Sequence, residues 1–320
     1  MKRIFLTFLI LLTLMVLSAC QSDSGPVTDT TPFVGGETGL VLSFIEAAPP
    51  DEIFDDGQFP FSVNVKLENK GEYDLESSDG FIQIEGISPT EFGKSSGDLR
   101  EDIPGIEGSK KGIDGAVING FSDVVEFAEL NYIPNIAGTL GPVPIRAASC
   151  YNYETRATAS LCIKEETIDS IRDNEVCQIA GEKDVANSGA PVRITMVKEA
   201  PQSKDSIQAQ ITIGALGQPT DSFYKEGTEC DNKRNNPDKF VVFMEVEPIV
   251  NGAVTARCSG LNGGNSGFIT LFDGADRTIS CSFDTSGISG NFETRMNVKL
   301  RYRYSQFIEK NIIIRDVTRD

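Results

Sequence analysis

The chain contains no histidine and no tryptophan. Without histidine it lacks the commonest general base near neutral pH and the commonest nitrogen ligand for zinc, so any enzymatic reading must do without both. No Cys-x-x-Cys spacing occurs, which weakens thiolate-metal and thioredoxin-like readings. The glycine-rich stretch around Ser266 is not Gly-x-Ser-x-Gly. Ser266 lies in Gly263-Gly264-Asn265-Ser266-Gly267, which reads as a hairpin turn and lacks the lysine of a phosphate loop. Without histidine there is no ordinary catalytic triad. No Asn-x-Ser/Thr sequon is present, so N-linked glycan is not expected.

Basic residues are in deficit. Lys and Arg number 29 against 47 Asp and Glu, a formal charge of −18. A polyanion of this kind is repelled by nucleic-acid backbones and by anionic lipid head groups. It suits a well-solvated surface outside the cell. The length, 320 residues, exceeds what one β-sandwich of roughly 100 residues needs, and two is the natural count.

The first twenty residues, MKRIFLTFLILLTLMVLSAC, combine a basic start at Lys2 and Arg3, an apolar run from Ile4 to Leu17, and small residues at Ser18 and Ala19. This is the layout of a signal peptide, and the run is short for a membrane span. Leu17-Ser18-Ala19-Cys20 resembles the lipobox of prokaryotic lipoproteins. The resemblance implies that residues 1–19 are removed and that Cys20 is diacylated as the new N-terminus. The membrane would then be a partner, since two acyl chains anchor stably where one is marginal. Residues 20–38, rich in Ser, Thr, Asp, Gly and Pro, cannot form a core and read as a flexible tether.

Period-two alternation dominates the rest. Leu40, Leu42 and Phe44 alternate with polar or smaller neighbours, and Phe59, Phe61, Val63, Val65 and Leu67 alternate with Pro60, Ser62, Asn64, Lys66 and Glu68. Further strands are expected over 81–85, 124–130, 143–150 and 157–162. A long loop is expected over 93–120, and a short acidic helix over 164–176 as a connector. A second run of strands follows over 192–197, 207–213, 240–246, 254–258, 267–272 and 278–283, with a polar loop over 214–238. Near the end Met296, Val298, Leu300, Tyr302 and Tyr304 alternate with Arg295, Asn297, Lys299, Arg301 and Arg303, and a last strand takes in Ile308 and 312–314. Many short strands and almost no helix indicate an all-β protein of antiparallel sandwiches.

The strand from Gly39-Leu40, the Pro49-Pro50 turn and Phe61-Ser-Val-Asn-Val-Lys-Leu-Glu-Asn-Lys-Gly71 resemble bacterial and archaeal immunoglobulin-like surface modules. The Ser149–Thr155, Leu161–Ile163, Val176-Cys177 and Gly189–Val192 stretches, with Val298–Ser305, resemble uncharacterised archaeal surface proteins. The resemblance implies two tandem Ig-like β-sandwich domains, 39–164 and 191–320, joined by a connector at 165–190. It implies extracytoplasmic placement and no particular activity, because fold alone does not fix function.

Seven cysteines occur. With Cys20 lipidated, six remain, an even number in an exported chain, and they admit 15 pairings. Cys150 and Cys162 flank an expected hairpin and form the first candidate pair. Cys258 and Cys281, on expected strands of the second module, form the next, which leaves Cys177 with Cys230.

Two clusters carry candidate chemistry. Asp51, Glu52, Asp55 and Asp56 crowd one inter-strand loop and offer the oxygen ligands that calcium takes, although no EF-hand spacing is present. The alternative is a solvated acidic turn, and the same two readings apply to Asp273 and Asp276. The row Arg295, Lys299, Arg301 and Arg303 could dock an acidic partner. Its alternative is a sheet face paired with Glu245 and Glu247 on a neighbouring strand. The function expected is a lipid-anchored extracytoplasmic protein without catalytic activity. It would serve adhesion or envelope assembly with other surface proteins, at a cell surface or in a periplasm, and would bind no nucleic acid. The alternatives are a solute-capturing lipoprotein or transporter accessory, and a carboxylate-dependent hydrolase of envelope polymers.

Overall fold

Alternation puts every second side chain of an extended segment on one face, and in the computed structural model these runs are strands. The structure describes residues 31–165, 167, 176–233, 235–262 and 264–317. The N-terminal segment to residue 30 and most of the expected helix at 164–176 lie outside them. In chain order the strands begin with β1 (Leu40–Phe44), β2 (Glu52–Phe54), β3 (Phe61–Asn69), β4 (Gly80–Glu85), β5 (Arg100–Asp102), β6 (Lys110–Lys111) and β7 (Val117–Ile118). They continue with β8 (Ser122–Leu130), β9 (Thr139–Ile163), β10 (Gly181–Lys183), β11 (Val185–Asn187), β12 (Val192–Ser203) and β13 (Ser206–Ala215). The last are β14 (Ser222–Tyr224), β15 (Val241–Val246), β16 (Arg257–Cys258), β17 (Ser266–Thr270), β18 (Arg277–Asp284) and β19 (Phe292–Arg315). No α-helix occurs among the described residues, and the protein is all-β.

The central feature is a ribbon of two long antiparallel strands. β9 has 25 residues and β19 has 24, and they pair from Phe292↔Ile163 to Arg315↔Thr139. Each joins two runs that alternation alone separates, 143–150 with 157–162 and 295–304 with 308–314. The ribbon extends into a nine-stranded sheet ordered β17-β15-β19-β9-β4-β5, with β11, β14 and β2 attached to it. Only β2 runs parallel to its neighbour, β19. A three-stranded sheet, β1-β3-β8, and a five-stranded sheet, β10-β12-β13-β18-β16, complete the body. The division expected at 165–190 is crossed by the main sheet, because β9 lies before it and its partner β19 at the far end of the chain. Residues 32–320 accordingly form one compact unit. Alternation reports which face of a strand is buried and carries no information about which strand lies beside it.

Inward residues of all three sheets meet in one core, where Val63, Val65 and Leu67 join Leu300, Tyr302, Ile211 and Phe283. Phe59, expected to be buried with them, precedes β3 and is exposed. Across the ribbon Tyr151 pairs with Tyr304 and Tyr153 with Tyr302, so four phenols are packed edge to face. Burying a phenol demands a partner for its hydroxyl. Tyr153 donates to the Gly189 carbonyl at 2.9 Å, Tyr304 donates to Asp221 at 2.8 Å, and Tyr302 shares a hydrogen bond with Thr155 at 3.1 Å. The Tyr153 hydroxyl also explains Gly71, where an added Cβ would lie 1.7 Å from it and 2.5 Å from the Gly189 carbonyl oxygen. Glu199 is fully buried on β12. It accepts the Cys162 amide and pairs with Lys183 at 2.9 Å, and desolvation still raises its pKa above the usual carboxylate range.

Candidate interaction surfaces

The basic row lies on the outer side of β19, because Met296, Val298, Leu300, Tyr302 and Tyr304 take the inner side. Each of its central cations meets a group of the protein itself. Lys299 pairs with Glu247 at 2.6 Å, and that hydrogen bond, with a second from Asn297, holds the Glu247 carboxyl below its usual range. Arg301 lies 3.3 Å from a Glu226 oxygen and stacks 4.5 Å over the Phe243 ring. Arg303 donates to the Thr228 carbonyl at 3.0 Å. Glu226 and Thr228 belong to residues 225–233, which cross this face as a strap. Cys230 ties the strap to Cys150 of β9, and Glu229 reaches Arg100, whose guanidinium stacks 3.4 Å over Phe81. The loop expected at 214–238 therefore holds β14 and a fastened strap. Arg295 lies beyond the strap, exposed, with no ion-pair partner among the described residues.

A cleft of about 310 Å³ lies on one side of the strap between Tyr73, Asn152, Glu154, Glu226 and Arg301. On the other side, Phe81, Arg100, Glu229 and the Cys150–Cys230 bridge line a cleft of about 230 Å³. Asn152 Oδ1, Arg301 Nε and Arg303 Nε are sequestered here without a hydrogen-bond partner among the described residues. The Arg301–Glu226 approach is thus a charge contact and lacks hydrogen-bond geometry. On balance the row does what its bland alternative foresaw for Glu247, and two of its arginines hold the strap.

The carboxylates at 51–56 do not converge. Asp51 pairs with Lys310 at 2.8 Å and Glu52 with Arg315 of the paired strand β19. Asp55 is buried and accepts the Ile136 and Val317 amides at 2.8 Å each. Asp56 occupies a left-handed position beside Gly57. No group of three or more metal-ligating side chains gathers among the described residues, Asp273 and Asp276 included. Ser222 and Lys225 carry a Ser-x-x-Lys spacing that sequence reasoning passed over. Three residues apart on extended chain they diverge, and the Lys225 ammonium lies over Phe268 at 4.6 Å.

All six cysteines after Cys20 form disulfides. Cys258–Cys281 is bonded as expected, across the paired strands β16 and β18. The other two expected pairs are replaced by Cys150–Cys230 and Cys162–Cys177. Cys150 and Cys162 stand on the single strand β9, where twelve residues of extended chain separate them by roughly 40 Å. Three disulfides fit an oxidising, extracytoplasmic compartment. No helix among the described residues is long and apolar enough to cross a membrane.

The surface that sequence reasoning missed is inside the expected loop at 93–120. Residues 107–121 form an arm in which β6 and β7 pair with each other, Lys110↔Ile118 and Lys111↔Val117, and no other strand flanks them. The arm is closed by a turn in which the Gly112 amide donates to the Ala116 carbonyl at 2.7 Å. Its base is fixed by Phe121 donating to the Glu107 carbonyl and by the Gly120 amide donating to Ser109 Oγ. Gly120 is required there, because a Cβ would lie 2.0 Å from the Asn69 carbonyl oxygen. Ile113 at the tip is fully exposed, and Val117, Ile118, Phe121 and Val124 are 52, 59, 61 and 45% exposed. Two-residue strands are too short for a periodic signal. The run Ala116-Val117-Ile118, between Gly115 and Gly120, was the only trace available in the sequence.

No family model matches the chain, and no curated protein matches it in sequence.

Proposed function

We propose that this protein is a lipid-anchored, extracytoplasmic binding protein that assembles with other envelope proteins and performs no catalysis. The anchor is Cys20, on the resemblance of Leu17-Ser18-Ala19-Cys20 to a lipobox, and the sheet body is related to Ig-like surface modules. One observation carries the reading. Five of the large apolar side chains left exposed among the described residues fall within twelve positions, 113–124, on an arm that stands on a strongly acidic body. Large apolar side chains left exposed close together in the chain point to an interaction site. The three disulfides and the strap stiffen the body that presents it.

The test is site-specific photocrosslinking in intact cells of the native host, with the photoreactive residue at position 118 and, as control, at 295. A discrete protein adduct is expected from 118 and not from 295. A Cys20→Ser chain should leave the membrane fraction while its body stays folded. Adducts no more frequent at 118 than at 295 would refute the assembly role, and a Cys20→Ser chain that remains in the membrane would refute the anchor.

A further inference from the structure

The arm leads directly into β8, and β8 is an edge strand. Among the described residues it pairs with β3 alone, in the order β1-β3-β8. The register Glu68↔Ser122 to Asn64↔Glu126 makes successive residues of β8 alternate between groups facing β3 and groups facing away. The Asn69 amide bonds to the Phe121 carbonyl, which assigns residues 121, 123 and 125 to the β3 side. On the other side of β3, Ile45 donates to the Asn64 carbonyl and Lys70 to the Gly39 carbonyl, so even-numbered residues of β3 face β1, in agreement. Ser122, Val124 and Glu126 therefore direct their amides and carbonyls outward along a free edge about 13 Å long. The Val124 amide donates to the neighbouring Asp123 carboxylate at 2.7 Å, a local substitute for a missing strand.

Resting on the reading of the arm as a docking surface, we infer that β8 accepts an extended segment of a protein partner as an added strand, and that this segment alternates basic and apolar side chains. Backbone pairing along an exposed edge supplies affinity in such complexes, and the alternate side chains supply selectivity. Phe121 gives an apolar contact on the side of β8 that turns Val125 and Phe127 into the core, where the apolar side chains of the added strand would lie. Asp123, Glu126 and Glu129 are exposed and β8 carries no cation; Glu126 lies on the outer side with Ser122 and Val124, so lysine or arginine on that side of the added strand would meet its carboxylate across the pair. The same acids exclude a second copy of this chain as the occupant, since two β8 strands side by side would gather the carboxylates of both with no positive charge on either. Asp123 fits both states. It caps the Val124 amide while the edge is free, and a carbonyl of the added strand would take its place.

The experiment uses the full chain in detergent and three capped nine-residue peptides. One alternates Val and Lys, the second alternates Val and Glu, and the third is the Val–Lys peptide with N-methylated alternate amides. The Val–Lys peptide should slow amide hydrogen exchange at Ser122, Val124 and Glu126 by about tenfold or more. The Val–Glu peptide should bind at least about tenfold more weakly. The N-methylated peptide should give no protection. Val124→Pro removes an outward amide at a position where an edge strand tolerates proline, and should abolish binding with the melting temperature unchanged. Equal binding of the Val–Glu or N-methylated peptide, or no protection of β8 by any peptide, overturns the inference. Vesicles of neutral or anionic lipid that protect the arm when peptide does not would assign the surface to the membrane and overturn it too. Adducts at position 118 in cells without edge protection by peptide would leave the docking role standing and remove only strand addition.

Discussion

Replacing Cys150 and Cys230 together with alanine should lower stability more than removing either of the other bridges. Alanine avoids placing a hydroxyl where Cys150 is buried. A disulfide acts chiefly by restricting the unfolded chain, and more so the longer the loop it closes. The three bridges span 80, 15 and 23 residues for Cys150–Cys230, Cys162–Cys177 and Cys258–Cys281. The loop-entropy relation gives about 4 kcal/mol for the first, after allowing for the Cys162–Cys177 bridge inside its loop, and about 3 kcal/mol for each of the others. For a folded unit of nearly 300 residues the unfolding entropy is roughly 0.6 kcal/mol per °C, so the first loss amounts to about 7 °C in Tm. The change should also be local. Freed from β9, the strap is still tied to Arg301, Arg303 and Arg100, but through partly exposed ion pairs and one backbone hydrogen bond. Trypsin should then cut after Lys225 or Lys233 while the β9–β19 ribbon stays protected from hydrogen exchange. Scanning calorimetry of the three double variants gives the order, and limited proteolysis gives the location. A Cys150→Ala/Cys230→Ala protein that melts within 1 °C of the parent, or that loses less than the Cys162→Ala/Cys177→Ala protein, would refute both the entropy argument and the role given to the strap.

Two further outcomes are expected. Glu199 has its pKa raised by burial, so the folded state binds its proton more tightly than the unfolded chain does. The stability it contributes is complete below the unfolded value, about 4.3, and is lost as pH rises through the folded value. The Tm of Glu199→Gln relative to the parent should therefore climb from pH 4 to pH 8, and a difference that stays flat across that range would contradict the assignment. Asp55→Ala strips two buried amides of a charged acceptor and should cost about 3 kcal/mol or more in chemical denaturation. The loss should be the same with and without millimolar calcium, and a loss below 1 kcal/mol or one that calcium changes would show that the carboxylate has another role.

What the sequence disclosed, it disclosed through period two. Val63, Val65 and Leu67 face the core from β3, and Met296 to Tyr304 do so from β19, as their spacing requires. The strands expected at 81–85 and 124–130 are β4 and β8 to within two residues. Two kinds of information were missing. The first is adjacency: nothing in residues 139–163 says that their neighbour is 292–315, and both wrong cysteine pairs followed from that gap. Once β9 is one strand, Cys150 and Cys162 are far apart, and each must find a residue brought in by a loop. The second is length: β6 and β7 have two residues each, too few to alternate, so the arm vanished into an expected loop. The basic row was legible as a row, but its task was not, because the strap that Arg301 and Arg303 hold approaches from seventy or more residues away.

The long ribbon imposes an order on assembly. Its first strand, β9 (Thr139–Ile163), is made well before its second, β19 (Phe292–Arg315). A chain made from its N-terminus must leave one hydrogen-bonding edge of β9 unpaired until residues 292–315 arrive. Local hairpins such as β12–β13 can close earlier, but the main sheet cannot, which makes the arrival of β19 the step that commits the fold.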